Sequence, residues 1–276
     1  MKPISEQTIL ITGATDGLGK ATARELAALG AAVLLHGRSR QRLEESRSEI
    51  VAATGNRNIK GYLADFSELA QVRRLAAEVR ADNPRLDMLI NNAGIGAGNT
   101  MEPRREVSAD GVELRFAVNY LAPFLLTRLL LPLLKDSAPA RIINVSSVGQ
   151  HPLDFGNLML EKHYDPVNAY RQSKLAQVMF TIDLAAELEG TGITVNCLHP
   201  ASLMDTKMVF EWFGHTMSKV QDGVAALMNM ATSPEFDTIS GAYYDQKVKS
   251  LANAQAYDST VRAQLKRLSE ELAGIG

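Results

Sequence analysis

The 276-residue sequence contains a single cysteine, Cys197. That excludes an internal disulfide and any zinc site built on several thiolates, and it leaves a buried apolar role as the plain reading. An excess of charge is missing too. Twenty-nine basic residues stand against 31 acidic ones, so the net charge is 29 − 31 = −2. No basic field exists to hold nucleic acid or an anionic membrane, and neither is expected as a partner. Long apolar runs are absent. The longest, Leu121 to Leu134, is interrupted by Arg128 and falls short of the ~20 residues that span a bilayer. Met1 to Gln7 carries Glu6, and the apolar run behind it stops at Thr12-Gly13, too short for a signal sequence. A cytoplasmic protein is the expectation. His36, His151, His163, His199 and His215 show no metal-ligand spacing, so no metal is expected.

What is present is ordinary globular composition, 46% hydrophobic and 22% charged, which excludes a disordered chain. No Pro/Gly/Ser-rich linker, repeat or low-complexity tract divides it, so residues 1–276 read as one domain. Short continuous apolar runs alternate with helical spacing. Strands are expected at Thr8–Ile11, Ala32–Leu35, Ile59–Leu63, Leu86–Ile90, Arg141–Val145, Ile193–Leu198 and Ala242–Tyr244. Helices are expected at Gly17–Gly30, Arg40–Ala53, Ser67–Ala81, about Ser108–Lys135, Asn168–Glu189 and Met217–Ala231. Continuous apolar strands between helices predict an α/β fold, a doubly wound parallel sheet covered on both faces. From Ser250 onward, Val261, Leu265, Leu268 and Leu272 recur at helical spacing. They predict an amphipathic C-terminal helix packed on the body, with a contact between copies of the chain as the alternative.

Thr12-Gly13-Ala14-Thr15-Asp16-Gly17-Leu18-Gly19 follows the first strand and opens the first helix. A glycine-rich turn there lets backbone N–H groups approach a pyrophosphate, whose charge the helix N-terminus favours. The spacing is Gly-x-x-x-Gly-x-Gly rather than the more usual Gly-x-Gly-x-x-Gly. Gly13, Thr15, Asp16, Gly17, Leu18 and Gly19 are the candidate contacts. After the second strand, a carboxylate would accept from the ribose hydroxyls of NAD. This chain has His36-Gly37-Arg38-Ser39-Arg40 instead. Arg38 is a fork of donors suited to a 2′-phosphate, so NADP(H) is favoured over NAD(H). Asp16 weighs against this, since a carboxylate offers nothing to that phosphate.

These residues, with others that follow, resemble the short-chain dehydrogenase/reductase family. The others are Asp65, Asn91-Asn92-Ala93-Gly94, Asn119, Ser146-Ser147, Tyr170-Arg171-Gln172-Ser173-Lys174 and His199-Pro200. The resemblance runs from about residue 7 to 245, with the motifs in family order. Leu153 to Tyr164 and the Ser-Lys-Leu-Ala at 173–176 are most similar to the retinol-dehydrogenase-like branch. The resemblance implies a Rossmann-type single domain. It implies Tyr170 as acid/base, Lys174 on the nicotinamide ribose, Ser147 on the substrate carbonyl and Asn119 positioning a water. It also implies cofactor contacts from Asp65, Phe66, Asn92, Ala93, Gly94, Tyr170, Lys174 and Pro200. Asn91 to Gly94 would also support the central sheet. A helix cap near Ser67 is the competing role for Asp65.

A free tyrosine titrates near pH ~10, and a neighbouring cation lowers that value. Lys174 is one helical turn from Tyr170, so it is expected to lower the tyrosine. Tyr243 and Lys247 share the same spacing, but Tyr243 sits on an expected edge strand and reads as packing. Ala201 stands where the family commonly has Gly, and Thr206 is displaced by a longer spacer, which puts its cofactor contact in doubt. The 200–232 region, where the family places a substrate lid, carries Met204, Met208, Phe210, Trp212, Phe213 and Met217. Singly each reads as core; together they suggest an adaptable apolar lining. The sequence therefore points to an NADP(H)-dependent oxidoreductase that interconverts a carbonyl and an alcohol on a hydrophobic small molecule. The alternatives are an NAD-dependent alcohol dehydrogenase and a non-catalytic dinucleotide-binding sensor.

Overall fold

The computed structural model describes residues 1–98, 101–206, 209–210 and 214–275. Among the described residues eight strands form one sheet: β1 (Thr8–Ile11), β2 (Ala32–Gly37), β3 (Ile59–Leu63), β4 (Met88–Asn91), β5 (Ala140–Val145), β6 (Ile193–His199), β7 (Tyr243–Asp245) and β8 (Val248–Ser250). Their order is β3-β2-β1-β4-β5-β6-β7-β8. Pairings from β3 through β7 are parallel, and β8 runs antiparallel to β7. The helices are α1 (Gly17–Ala28), α2 (Arg40–Thr54), α3 (Leu69–Asp82), α4 (Leu114–Asp136), α5 (Pro166–Glu187), α6 (Val220–Thr232) and α7 (Ser259–Ala273).

Side chains alternate across a strand, so each strand feeds two cores. Leu10, Leu34, Leu89, Ile142 and Val195 pack toward α3, α4, α5 and α7. Ile9, Ile11, Val33, Leu35, Met88, Ile90 and Ile143 pack toward α1, α2 and α6. Both faces are covered, as the continuous apolar strands require. The single doubly wound domain expected from sequence is the fold observed.

The differences are local. α4 begins at Leu114 rather than Ser108. Residues before it turn instead, with Gly111 at φ +78° and the Ser108 N–H donating to the Val112 carbonyl at 2.8 Å. Glu113 then caps the helix by accepting from the Phe116 N–H at 2.8 Å. α4 is long and apolar enough to cross a membrane by length and composition, which the run counted from sequence was not. It lies mostly buried in this domain and packs against α3. α6 starts at Val220, after Met217, and β8 is an addition that makes β7 an inner strand. The C-terminal helix packs on the body: Tyr120 and Ser269 share a buried hydrogen bond of 2.7 Å, and Arg262 pairs with Asp183 at 2.6 Å.

Candidate active site

The sheet order reverses direction between β1 and β4, which opens a crevice at the carboxyl ends of the strands. The glycine loop leaves β1 into that crevice. Gly13 adopts φ +66°, and a Cβ on it would lie 2.8 Å from the Ala93 Cα. A Cβ on Gly19 would overlap the Gly13 carbonyl. The loop is braced from β4. Thr12 Oγ1 accepts from the N–H groups of Asn92 and Ala93, each at 2.9 Å. Asn92 Nδ2 donates to the carbonyls of Thr12 at 2.9 Å and Gly13 at 3.1 Å. Deeper in the sheet, Asn91 Nδ2 joins Thr127 at 3.0 Å and Asn144 at 2.8 Å. Leu18 is buried beneath the loop, and the Thr15 methyl presses on Gly37. A Cβ-free turn opening the N-terminus of α1 fits a dinucleotide pyrophosphate.

Asp16 is the N-cap of α1, accepting from the Gly17 N–H at 2.8 Å. Its other oxygen lies 3.7 Å from Arg42 on α2. The carboxylate that weighed against a phosphate therefore has a capping role and an arginine beside it. Arg38 is exposed directly after β2. In the segment after β3, Asp65 accepts from the backbone and hydroxyl of Ser67 at 2.9 and 2.8 Å, the competing local role. Phe66 is buried and stacks on His36 with centroids 4.3 Å apart.

At the other end of the crevice, Ser146-Ser147 follows β5, and α5 carries Tyr170 and Lys174 one turn apart. The two serines differ. Ser146 Oγ donates to the Lys174 carbonyl at 2.9 Å, tying the strand end to the helix. Ser147 Oγ accepts from the Gly149 N–H at 3.0 Å and faces the Tyr170 ring, for a Cβ on Gly149 would lie 3.4 Å from Ser147 Oγ and 3.9 Å from Tyr170 Cε1. The serine facing Tyr170 is the one chosen from the motif. Lys174 Nζ donates to the Val145 carbonyl at 2.9 Å and lies 5.8 Å from the Tyr170 ring centroid.

Burial raises Tyr170 above the ordinary phenol value, and the Ser147 hydroxyl opposes it. Burial also lowers Lys174 to about 8. The expected lowering of the tyrosine by Lys174 is therefore not found. Desolvation is the largest influence on both groups, and it penalises both charged forms.

Asn119 sits in a π-helical turn, Ala117–Leu121, within α4. Its Oδ1 accepts from the Ile95 N–H at 2.7 Å. Its Nδ2 donates to the Ile95 carbonyl and to Ser173 Oγ, both at 3.0 Å. Both amide donors are engaged, so the side chain braces the loop after β4 and α5. Gly94 fits between the two groups: a Cβ there would lie 3.2 Å from Asn119 Oδ1 and 3.6 Å from Lys174 Nζ.

After β6, Pro200 is buried against Gly223 of α6. His199 Nε2 is 3.0 Å from Ser202 Oγ. The longer spacer still delivers Thr206 to the glycine loop, where its methyl would lie 3.2 Å from a Cβ on Gly17. In the region read as a lid, Met204 packs on Gly223, while Phe210 and Met217 are exposed rather than core. Met208, Trp212 and Phe213 lie outside the described residues. Among the described residues no cluster of His, Cys, Asp and Glu could hold a metal.

The short chain dehydrogenase family model matches residues 7–215. The chain belongs to the short-chain dehydrogenase family. Curated relatives include retinol dehydrogenase 14 of Homo sapiens, 36% identical over 98% of this chain and 87% of that protein. Retinol dehydrogenase 12 of Bos taurus is also 36% identical, with the same two shares. This is the retinol-dehydrogenase-like branch that the motifs suggested. Among solved structures, a short chain dehydrogenase from Escherichia coli CFT073 complexed with NADPH has a TM-score of 0.72 at 27% identity, covering 88% of this chain and 97% of that one. An uncharacterized protein from Mycobacterium paratuberculosis has a TM-score of 0.78 at 28% identity, covering 98% and 94%.

This short-chain dehydrogenase is an oxidoreductase acting on alcohol and carbonyl groups. The contacts of three residues near its crevice escaped the sequence reading. Arg42 falls four residues after Arg38, a spacing that could have drawn attention to it. Tyr243 is buried packing, as read, but its hydroxyl also donates to the Ser147 carbonyl at 3.2 Å. That contact depends on β6 pairing with β7, which no local spacing reveals. His36 is buried between the glycine loop and the end of β3.

Proposed function

We propose that this oxidoreductase uses NADP(H) and reduces the carbonyl of a hydrophobic small molecule. The observation that carries the reading is the Ser147 hydroxyl facing Tyr170 beside buried Lys174, at the open end of the crevice that the glycine loop begins. Gly13 to Gly19 and the start of α1 would hold the pyrophosphate, with Thr206 above Gly17. Arg38 would meet the 2′-phosphate, with Arg42 adding charge. Lys174 and Tyr170 would face the nicotinamide ribose, and Ala93, Gly94 and Pro200 would flank it. When bound, the cofactor supplies the hydride.

The residues supply the proton. A phenol raised by burial is protonated at neutral pH, so Tyr170 suits donation to a developing alkoxide better than abstraction from an alcohol. The Ser147 hydroxyl donates to the same substrate oxygen and fixes its place. Lys174 carries a proton over most of the physiological range and stabilises the phenolate left behind. Asn119 acts as a positioning residue through Ile95 and Ser173. Exposed Phe210 and Met217, beside half-buried Met204, provide the apolar surface for the substrate.

The test is a fluorescence titration with NADPH and, separately, NADH, followed by a screen of apolar ketones and aldehydes. Much tighter NADPH binding with reductase turnover supports the reading. Equal or tighter NADH binding overturns the role of Arg38 and redirects the search to alcohol oxidation.

A further inference from the structure

His36 is an anomaly in β2. It lies in a strand buried on both faces, among Val33, Leu34 and Leu35, yet it is a polar ring that is 3% exposed. Both ring nitrogens have partners, and the two partners make opposite demands. The Gly13 N–H donates to Nδ1 at 3.3 Å. Nε2 lies 3.0 Å from the Ala64 carbonyl oxygen, which can only accept. An imidazole meets both only as the neutral tautomer with its proton on Nε2. The backbone closes the same link: the Ala14 N–H donates to the His36 carbonyl at 2.9 Å, and the Ala64 N–H to the Gly37 carbonyl at 3.2 Å.

The ring therefore spans two segments that are otherwise distant in sequence. One is the turn that opens the glycine loop, at Gly13. The other is Ala64-Asp65-Phe66 after β3, where Phe66 stacks on the imidazole at 4.3 Å with an interplanar angle of 18°. On the proposed reading these segments form two walls of the adenosine half of the crevice. Their separation decides whether a dinucleotide meets the loop N–H groups and the 64–66 wall together. Apolar strand residues would fill the space but could not set that separation through two directed bonds.

We infer that His36 is a positioning residue for the cofactor, its neutral Nε2–H tautomer locking the glycine loop to the Ala64–Phe66 wall. This rests on the dinucleotide reading above. His36 does not contact the reacting atoms, so it acts on affinity and not on the chemical step. Burial is consistent with the neutral ring, holding His36 down to about 4 with only Asp65 opposing among the charges around it. The brace adds no phosphate recognition. It should serve NADPH and NADH equally, unlike Arg38.

A substitution series separates the two bonds. His36→Asn keeps an acceptor for the Gly13 N–H, His36→Gln keeps a donor for the Ala64 carbonyl, and His36→Phe keeps the ring but neither bond. Calorimetric Kd values for NADPH and NADH are measured well below each variant's Tm, so that every sample is folded. His36→Phe is expected to weaken both cofactors by the same factor, on the order of tenfold. Asn and Gln should fall between it and the parent. At saturating cofactor kcat should stay within about twofold. In the unsubstituted protein, nitrogen-15 spectra of the histidine rings should show one ring protonated only on Nε2 and untitrated from pH 5.5 to 8.

Unchanged affinity in a folded His36→Phe protein overturns the inference, as does a loss confined to NADPH. If His36→Phe does not fold, the ring spectra of the unsubstituted protein decide. A His36 ring protonated on Nδ1, or titrating near its ordinary pH of ~6.5, overturns it. If the unsubstituted protein binds neither NADPH nor NADH, the dinucleotide reading itself has failed. If it binds and the substitution changes nothing, only the role of His36 has.

Discussion

The Lys174 ammonium donates to the Val145 carbonyl at 2.9 Å from a position 5% exposed. That bond crosses from α5 to the end of β5 and fixes the amine beside Tyr170. Burial lowers the lysine to about 8 from an ordinary 10.5. The native state therefore binds this proton less tightly than the unfolded chain. Below about pH 8 both states carry it, and the cost of burying the charge is felt in full, on the order of 3 kcal/mol. From pH 8 to 10.5 the unfolded chain holds more protons, so stability recovers as pH rises. Urea unfolding at pH 7 to 9.5 should show this rise relative to Lys174→Met. Parallel profiles for the two proteins would show that the lysine titrates normally.

Tyr170 and Ser147 face each other across the crevice, but their losses should differ from that of Ser146. Tyr170→Phe is expected to lower kcat by roughly 10²–10⁴-fold and leave the cofactor Kd near its parent value. Ser147→Ala should also lower kcat. Ser146→Ala removes only the bond to the Lys174 carbonyl and should cost about 1 kcal/mol of stability. Steady-state kinetics with calorimetric titration of the cofactor check all three. Full turnover in Tyr170→Phe would exclude the acid/base role.

Arg38 is exposed at the end of β2, and Arg42 lies 3.7 Å from Asp16 across the loop. Arg38→Ala should raise the NADPH Kd by about 10–100-fold, the loss of a charge-assisted contact, with little change for NADH. Arg42→Ala should give a smaller change in the same direction. Raising the salt concentration should compress both effects. Equal losses for the two nucleotides would remove the phosphate role.

The Tyr120 and Ser269 hydroxyls meet at 2.7 Å with both residues buried, and burial raises the phenol above its ordinary value. Ser269→Ala leaves the Tyr120 hydroxyl without this partner and should destabilise the protein by about 1–3 kcal/mol. Tyr120→Phe combined with Ser269→Ala should cost less than Ser269→Ala alone, because no polar group is then stranded. Thermal unfolding of the single and double variants measures the difference. Additive losses would mean that the bond carries no coupling between α4 and α7.

Much of the protein was legible in the sequence because its signals are local. The apolar runs mark the inner strands, since a strand covered on both faces is mostly apolar, while edge strand β3 exposes Lys60 and Gly61. Gly13, Gly17 and Gly19 mark the loop because backbone geometry there admits no side chain, and the Tyr170–Lys174 spacing follows from one helical turn. Ser147 and Asn119 were implied by the family resemblance, and Arg38 was singled out by its type and its place after β2. Tertiary structure decided the rest. Which serine faces Tyr170 depends on how β5 ends against α5. The titration of Tyr170 and Lys174 depends on how much water reaches them, which spacing does not encode. The amide of Asn119 is engaged by Ile95 and Ser173 because a π turn aims it there. His36 became a brace, and Asp16 a cap with Arg42 beside it, only when strands and helices distant in the chain were brought together. Sequence sets which groups are available, but their partners and their water are set by packing across the sheet.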